Sequence, residues 1–136
     1  MTDYPIKGIL NAAGKPKPLV FVGSSRKDSK FLPDEVHDLI GRALLDVQFG
    51  RKPPGSKPLQ GFGGAGVLEL VADFAGDAYR AVYTVRFAKM VYVLHVFQKK
   101  ATHGISTPKH EIDLIRARYR MAEEHYRDWS RGVADE

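Results

Sequence analysis

Apolar positions recur along this chain with two periods, and the period changes mark its elements. Leu19-Val20-Phe21-Val22 is a short β-rich run closed by Gly23-Ser24-Ser25, which predicts a first strand. Ser24 or Ser25 can cap a short helical piece. A second helix starts at Pro33, with Asp34 and Glu35 placed where the helix dipole favours negative charge. Val36, Ile40, Ala43, Leu44 and Val47 then share one helical face, and Gly50 stands where a helix stops. Residues 51–66 carry Pro53, Pro54, Pro58 and five glycines, a composition that predicts loop. Strands are expected at 67–74, 78–87 and 90–98. Ala75-Gly76-Asp77 makes the first turn and Ala88-Lys89 the second, so the three form an antiparallel meander. Thr107-Pro108 then opens a helix with Glu111 in its first turn. Ile112, Ile115, Tyr119, Ala122, Tyr126 and Trp129 follow at helical spacing over about five or six turns. The order strand, helix, helix, three strands, helix predicts a small α+β domain: an antiparallel sheet with helices packed on one side and the C-terminal helix docked by its apolar stripe. Gly14-Lys15-Pro16-Lys17-Pro18 marks residues 1–18 as a flexible extension, which leaves one domain over 19–130 and a tail over 131–136.

Length and composition agree with a single core: 136 residues, 43% hydrophobic and 27% charged. The absence of cysteine excludes disulfides, thiolate metal sites and thiol nucleophiles, and suits a reducing compartment. No apolar run is long enough to span a bilayer, and the first residues do not read as a signal peptide. A soluble cytoplasmic protein with no membrane partner is therefore expected. The net charge of +5 is unevenly placed: residues 86–120 hold eight basic side chains against Glu111 and Asp113, whereas residues 121–136 are net acidic. Such a basic segment suits a polyanion partner, or equally a solvated helix face.

Few residues offer chemistry. The five histidines show no metal-ligand spacing, so no metal or other cofactor is expected. The run Gly61-Phe62-Gly63-Gly64-Ala65-Gly66 is followed by a strand and lacks the Lys-Ser or Lys-Thr of a phosphate-binding loop; its glycines instead suit close backbone approach to a neighbour or ligand. Cationic and aromatic groups concentrate on the last two strands. Alternation places Arg80, Val82 and Thr84 on one face of their strand, and His95, Phe97 and Lys99 on one face of the next. Arg80, amid apolar neighbours, must either pair with a carboxylate such as Glu69 or lie at an open anion site. Lys99 and Lys100, at a strand end, read as edge-protecting lysines. His95 and Phe97 read as core.

Taken together, Tyr79-Arg80-Ala81-Val82-Tyr83, the run from Val91 to Lys100 ending Phe97-Gln98-Lys99-Lys100, and Thr107-Pro108-Lys109-His110-Glu111-Ile112 resemble phage-derived HigB-like toxins of the RelE/ParE superfamily. Lys57-Pro58-Leu59-Gln60-Gly61-Phe62-Gly63-Gly64 and Val67-Leu68-Glu69-Leu70 resemble the same family. The resemblance implies a RelE-like fold and a ribosome-dependent mRNA endonuclease that needs no metal. It also implies neutralisation by a cognate antitoxin, expected to be a HigA-like helix-turn-helix protein. By the resemblance, Arg80 holds the scissile phosphate, and Lys99 or Lys100 stabilises charge or supplies a proton. Phe97 stacks on a base, and His95 is a further acid–base candidate. Arg116, Arg118 and Arg120 are implied contacts to RNA phosphates. The sequence departs from many relatives at Val71, where they carry a basic residue. Two other readings share the fold: a ParE-like gyrase inhibitor without a nuclease site, and a degenerate toxin that only binds its antitoxin.

Overall fold

The computed structural model describes residues 14–64, 66–99 and 107–134. Its elements run β1 (Leu19–Phe21), α1 (Ser25–Ser29), α2 (Asp34–Gln48), β2 (Ser56–Pro58), β3 (Val67–Phe74), β4 (Asp77–Thr84), β5 (Val91–Lys99) and α3 (Lys109–Ala134). The expected α+β order is present, with α3 somewhat longer than its apolar stripe alone requires. Residues 1–13 of the expected extension and Lys100 lie outside the described residues. The last part of that extension is tied down: Lys17 exchanges hydrogen bonds with Gln48, each of 2.8 Å, and the Pro18 carbonyl accepts from the Val91 amide at 3.0 Å.

The sheet has five strands in the order β1-β5-β4-β3-β2. The β3–β4–β5 meander is antiparallel as expected, but β1 joins the edge of β5 in parallel, with Leu19 opposite Val91 and Phe21 opposite Val93. The all-antiparallel expectation is thus corrected, because only strands joined by tight turns are forced to run antiparallel and β1 lies far from β5 in sequence. The expected loop also contains β2, paired to β3 through Lys57 opposite Glu69. Pro58 is tolerated there because β2 is an edge strand and needs no donor on its outer side.

A second correction concerns the layers. Helix α2 buries Val36, Ile40, Leu44 and Val47 with Leu70, Ala81, Tyr83, Val91 and Val93, whereas Ile115 and Ala122 of α3 bury with Val67, Val82, Tyr92 and Leu94. Alternating residues of β3 to β5 belong to different clusters, so the helices cover opposite faces. A strand such as β5, buried from Val91 to Val96, has two apolar faces and requires cover on both. The C-terminal stripe expected from sequence docks as a unit, since Ile112, Tyr119, Tyr126 and Trp129 all pack against the α3-side core. Within it the fully buried Tyr92 hydroxyl bonds His125 Nδ1 at 2.7 Å, and burial pushes its pKa up to about 12.

Candidate functional site

One local irregularity builds the site. Between β4 and β5 the register shifts: Tyr83 faces Val93 but Val82 faces His95, which leaves Leu94 as an extra residue. Such a bulge reverses the facing of everything beyond it. Val91 and Val93 face α2, whereas His95, Phe97 and Lys99 face the α3 side and share it with Val82 and Arg80. Phe97 is directly opposite Arg80, and Lys99 opposite Ala78 one pleat away.

Arg80 is 6% exposed and Glu69 4%. Arg80 Nη1 donates to both carboxylate oxygens of Glu69 at 2.7 Å, the pairing that an arginine in an apolar strand needs. Arg80 Nε is buried without a partner. Lys57, on β2, brings its ammonium to 3.7 Å from the same carboxylate. The Lys99 ammonium titrates below its ordinary value, held down by partial desolvation and then by Arg80. Beside this cluster a cleft of about 550 Å³ opens between β2, the turn after it and the start of α3; Lys57, Leu59, Glu69, Thr107, Lys109 and Ile112 contribute to its walls. Among the described residues Glu69 is the only carboxylate lining the cleft. The positive-φ glycines Gly61, Gly63, Gly64 and Gly66 shape the turn. The expected close backbone approach is not found: a Cβ at Gly66 would meet the Arg86 backbone only at ordinary contact distance, 3.4 Å, Gly63 and Gly64 face open space, and it is their positive φ that favours glycine.

A second cluster adjoins the first. His95 is 6% exposed, and its ring stacks on Phe97 with centroids 4.5 Å apart. Its Nε2 lies 2.8 Å from Glu111 Oε1 and its Nδ1 3.4 Å from Arg118 Nη1. Burial lowers the imidazole pKa, against an opposing pull from Glu111. Arg118 is buried; it donates to the Leu94 carbonyl at 2.9 Å and to Ser24 Oγ at 2.8 Å.

Of the residues singled out in the sequence, Arg80, His95, Phe97 and Lys99 therefore converge. Of the three helix arginines only Arg118 joins them, at His95. Arg116 leans on the glycine-rich turn, 3.2 Å from the Gly61 carbonyl and over the Phe62 ring, while Arg118 points into the protein and Arg120 is exposed. Helical rotation explains the divergence, because positions two apart face nearly opposite ways. Lys57, Lys109 and Glu111 escaped the sequence reading as site residues. A lysine in a proline-rich segment and charges in a first helical turn look like ordinary surface; β2 pairing brings Lys57 to Glu69 and the docking of α3 brings Glu111 to His95, while Lys109 lines the cleft with its ammonium on Asp113. Among the described residues no three His, Asp or Glu side chains are grouped to hold a metal ion, and no helix is long and apolar enough to cross a membrane.

A family model described as Phage derived protein Gp49-like matches residues 27–120, a span that holds α2, the meander, both clusters and the first half of α3. The chain belongs to the Gp49-like family of phage-derived proteins. The phage-derived kinship expected from the motifs is thereby shown. No curated protein matches the Gp49-like chain. Solved structures similar to it include the RelBE2 toxin–antitoxin complex of Mycobacterium tuberculosis, at 20% identity and a TM-score of 0.45, covering 62% of this chain and 100% of that one. The isolated E. coli RelE toxin matches at 22% identity and a TM-score of 0.48, covering 64% of this chain and 88% of that one. A substituted E. coli RelE in the free state matches at 22% and 0.46, covering 65% and 88%.

Proposed function

We propose that this Gp49-like protein is the toxin of a type II toxin–antitoxin system and acts as a ribosome-dependent mRNA endonuclease in the cytoplasm. The observation that carries the reading is Arg80: held in place through Nη1 by Glu69, it keeps Nε without a partner, directly across from Phe97 and near Lys99. Once the side chain opens toward solvent, its unpaired Nε can donate to a phosphodiester while a base stacks on the neighbouring ring.

RNA cleavage by its own 2′ oxygen forms the new O–P bond as the bond to the 5′ oxygen breaks, and yields a 2′,3′-cyclic phosphate. The protein must align the attack, accept the 2′ proton, neutralise the phosphorane and protonate the leaving oxygen. Arg80 and Lys99 supply positive charge, and Lys99, with its lowered pKa, also offers the proton. Glu69 offers the acceptor at the cleft wall. Phe97 orients the base, and Arg116 and Arg120 add sequence-independent phosphate attraction. A cognate HigA-like antitoxin would silence the protein by covering these cations.

A second reading, a toxin that binds its antitoxin without cutting RNA, draws on Val71 and on the commitment of Arg80 Nη1 to Glu69. Primer-extension mapping of mRNA ends in a translation reaction separates the two, with ribosome-free RNA and an Arg80→Ala/Lys99→Ala variant alongside. New ends that need both ribosomes and the wild-type residues are expected. Ends that persist in the variant discard the residue assignment, and no new ends discard the nuclease reading in favour of the non-cutting toxin or of gyrase inhibition.

A further inference from the structure

A nucleobase that lands on Phe97 needs a ring that does not yield, and a second ring lies beneath it. The His95 and Phe97 planes are only 16° apart, and Phe97 is partly exposed where His95 is almost wholly buried. Of the two stacked rings, Phe97 is therefore the one that solvent reaches.

Hydrogen bonding sets the state of the lower ring. A carboxylate only accepts and a guanidinium only donates. With Glu111 at Nε2 and Arg118 at Nδ1, one neutral tautomer satisfies both partners: Nε2–H donates to Glu111, and Nδ1 accepts from Arg118. A proton on Nδ1 would face the Arg118 donor. Arg118 is itself fixed by the Leu94 carbonyl and by Ser24, whose hydroxyl bonds Asp28 at 2.8 Å, so α1 and α3 clamp the ring together. Both nitrogens of this imidazole are engaged inside the protein, which leaves neither to exchange a proton with a substrate.

We infer that His95 is the fixed lower layer of a two-ring platform for an unpaired RNA base, and that Glu111 and Arg118 are positioning residues that hold it. This rests on the nuclease reading for its ligand class and assigns His95 a supporting role in place of acid–base work. Single-stranded bases are commonly bound by stacking on such aromatic surfaces.

The test compares wild type with His95→Phe, His95→Ala and Glu111→Gln. Affinity for an end-labelled, uncleavable 2′-O-methyl oligoribonucleotide is read by fluorescence anisotropy, and mRNA cutting in a translation reaction is followed from pH 5.5 to 8. His95→Phe keeps the stack but not the bonds to Glu111 and Arg118; it is expected to bind several-fold more tightly than His95→Ala and to cut with a pH profile of unchanged shape. Glu111→Gln keeps an acceptor for Nε2–H and should behave likewise. His95→Ala, checked for a cooperative melt, should bind about tenfold more weakly. A His95→Phe protein that binds RNA but does not cut overturns the platform in favour of proton transfer, and leaves the nuclease reading intact. A folded His95→Ala protein with wild-type affinity, or a wild type that does not bind the RNA, also overturns it. If wild type binds with the expected ranking but makes no cuts, the nuclease reading fails and the platform stands.

Discussion

Removing the Glu69 carboxylate tests the central ion pair directly. In Glu69→Ala, Arg80 Nη1 loses both of its 2.7 Å acceptors, beside an Nε that already lacks one, in a residue with 6% exposure. Stranding one charge of a buried pair costs about 3–5 kcal/mol. Glu69 lines an open cleft, so water can reach the vacated space, and the low end of about 3 kcal/mol is expected. The exposed Lys57 ammonium, 3.7 Å away, loses little by comparison. In urea denaturation this corresponds to a midpoint lower by about 1–3 M with an unchanged slope. The companion variant Glu69→Leu/Arg80→Met removes both charges at similar volume, and should lie within about 1 kcal/mol of wild type or above it. It should also abolish any RNA cleavage, which separates stability from function at one site. A Glu69→Ala protein within about 1 kcal/mol of wild type would refute the reasoning, because Arg80 would then have found water or another acceptor. A double variant as unstable as the single one would refute it too.

Further outcomes are expected. Ile115→Ala removes a fully buried side chain from the seam between α3 and the sheet and should cost about 2–5 kcal/mol by denaturant titration, while deletion from Glu111 onward should abolish the cooperative thermal transition. His95 titrates below the ordinary 6.5 because burial disfavours its charged form. Its contribution to stability is therefore full above the unfolded pKa and is lost as pH falls from there through the lowered folded value. Ring-proton NMR should show that low midpoint, and His95→Phe should flatten the acid limb of the stability curve in the same window. Gly23→Ala forces a side chain onto φ +59°, with its Cβ 2.7 Å from Arg118 Nε. A loss of at least ~1 kcal/mol is expected, together with release of Arg118 from Leu94, visible as faster exchange of nearby amides.

Much of the fold was legible because local signals agreed. The meander strands were bounded by Gly76 and by the turn before Met90, and the α3 stripe from Ile112 to Trp129 docks as its spacing required. The elements that escaped had weak local signals. β2 is three residues long with a proline at its end, and it exists only because β3 offers an open edge. That α2 and α3 take opposite faces was implicit in the unbroken apolar run of β5, which has no polar side to leave uncovered.

The candidate site divides differently. Residue types and spacing alone determined that Arg80, Phe97 and Lys99 lie on strands, that Arg80 needs Glu69 or an anion, and that the chain resembles a phage-derived toxin family. Periodicity carries that information because side-chain facing within one strand is a local property. Only the tertiary structure decided which residues meet. The extra residue at Leu94 turns His95, Phe97 and Lys99 to the Arg80 side, and the docking of α3 brings Glu111 and Arg118 to the two nitrogens of His95. Register between strands and the seating of a helix are settled by packing of the whole core, and no short stretch of sequence contains that sum.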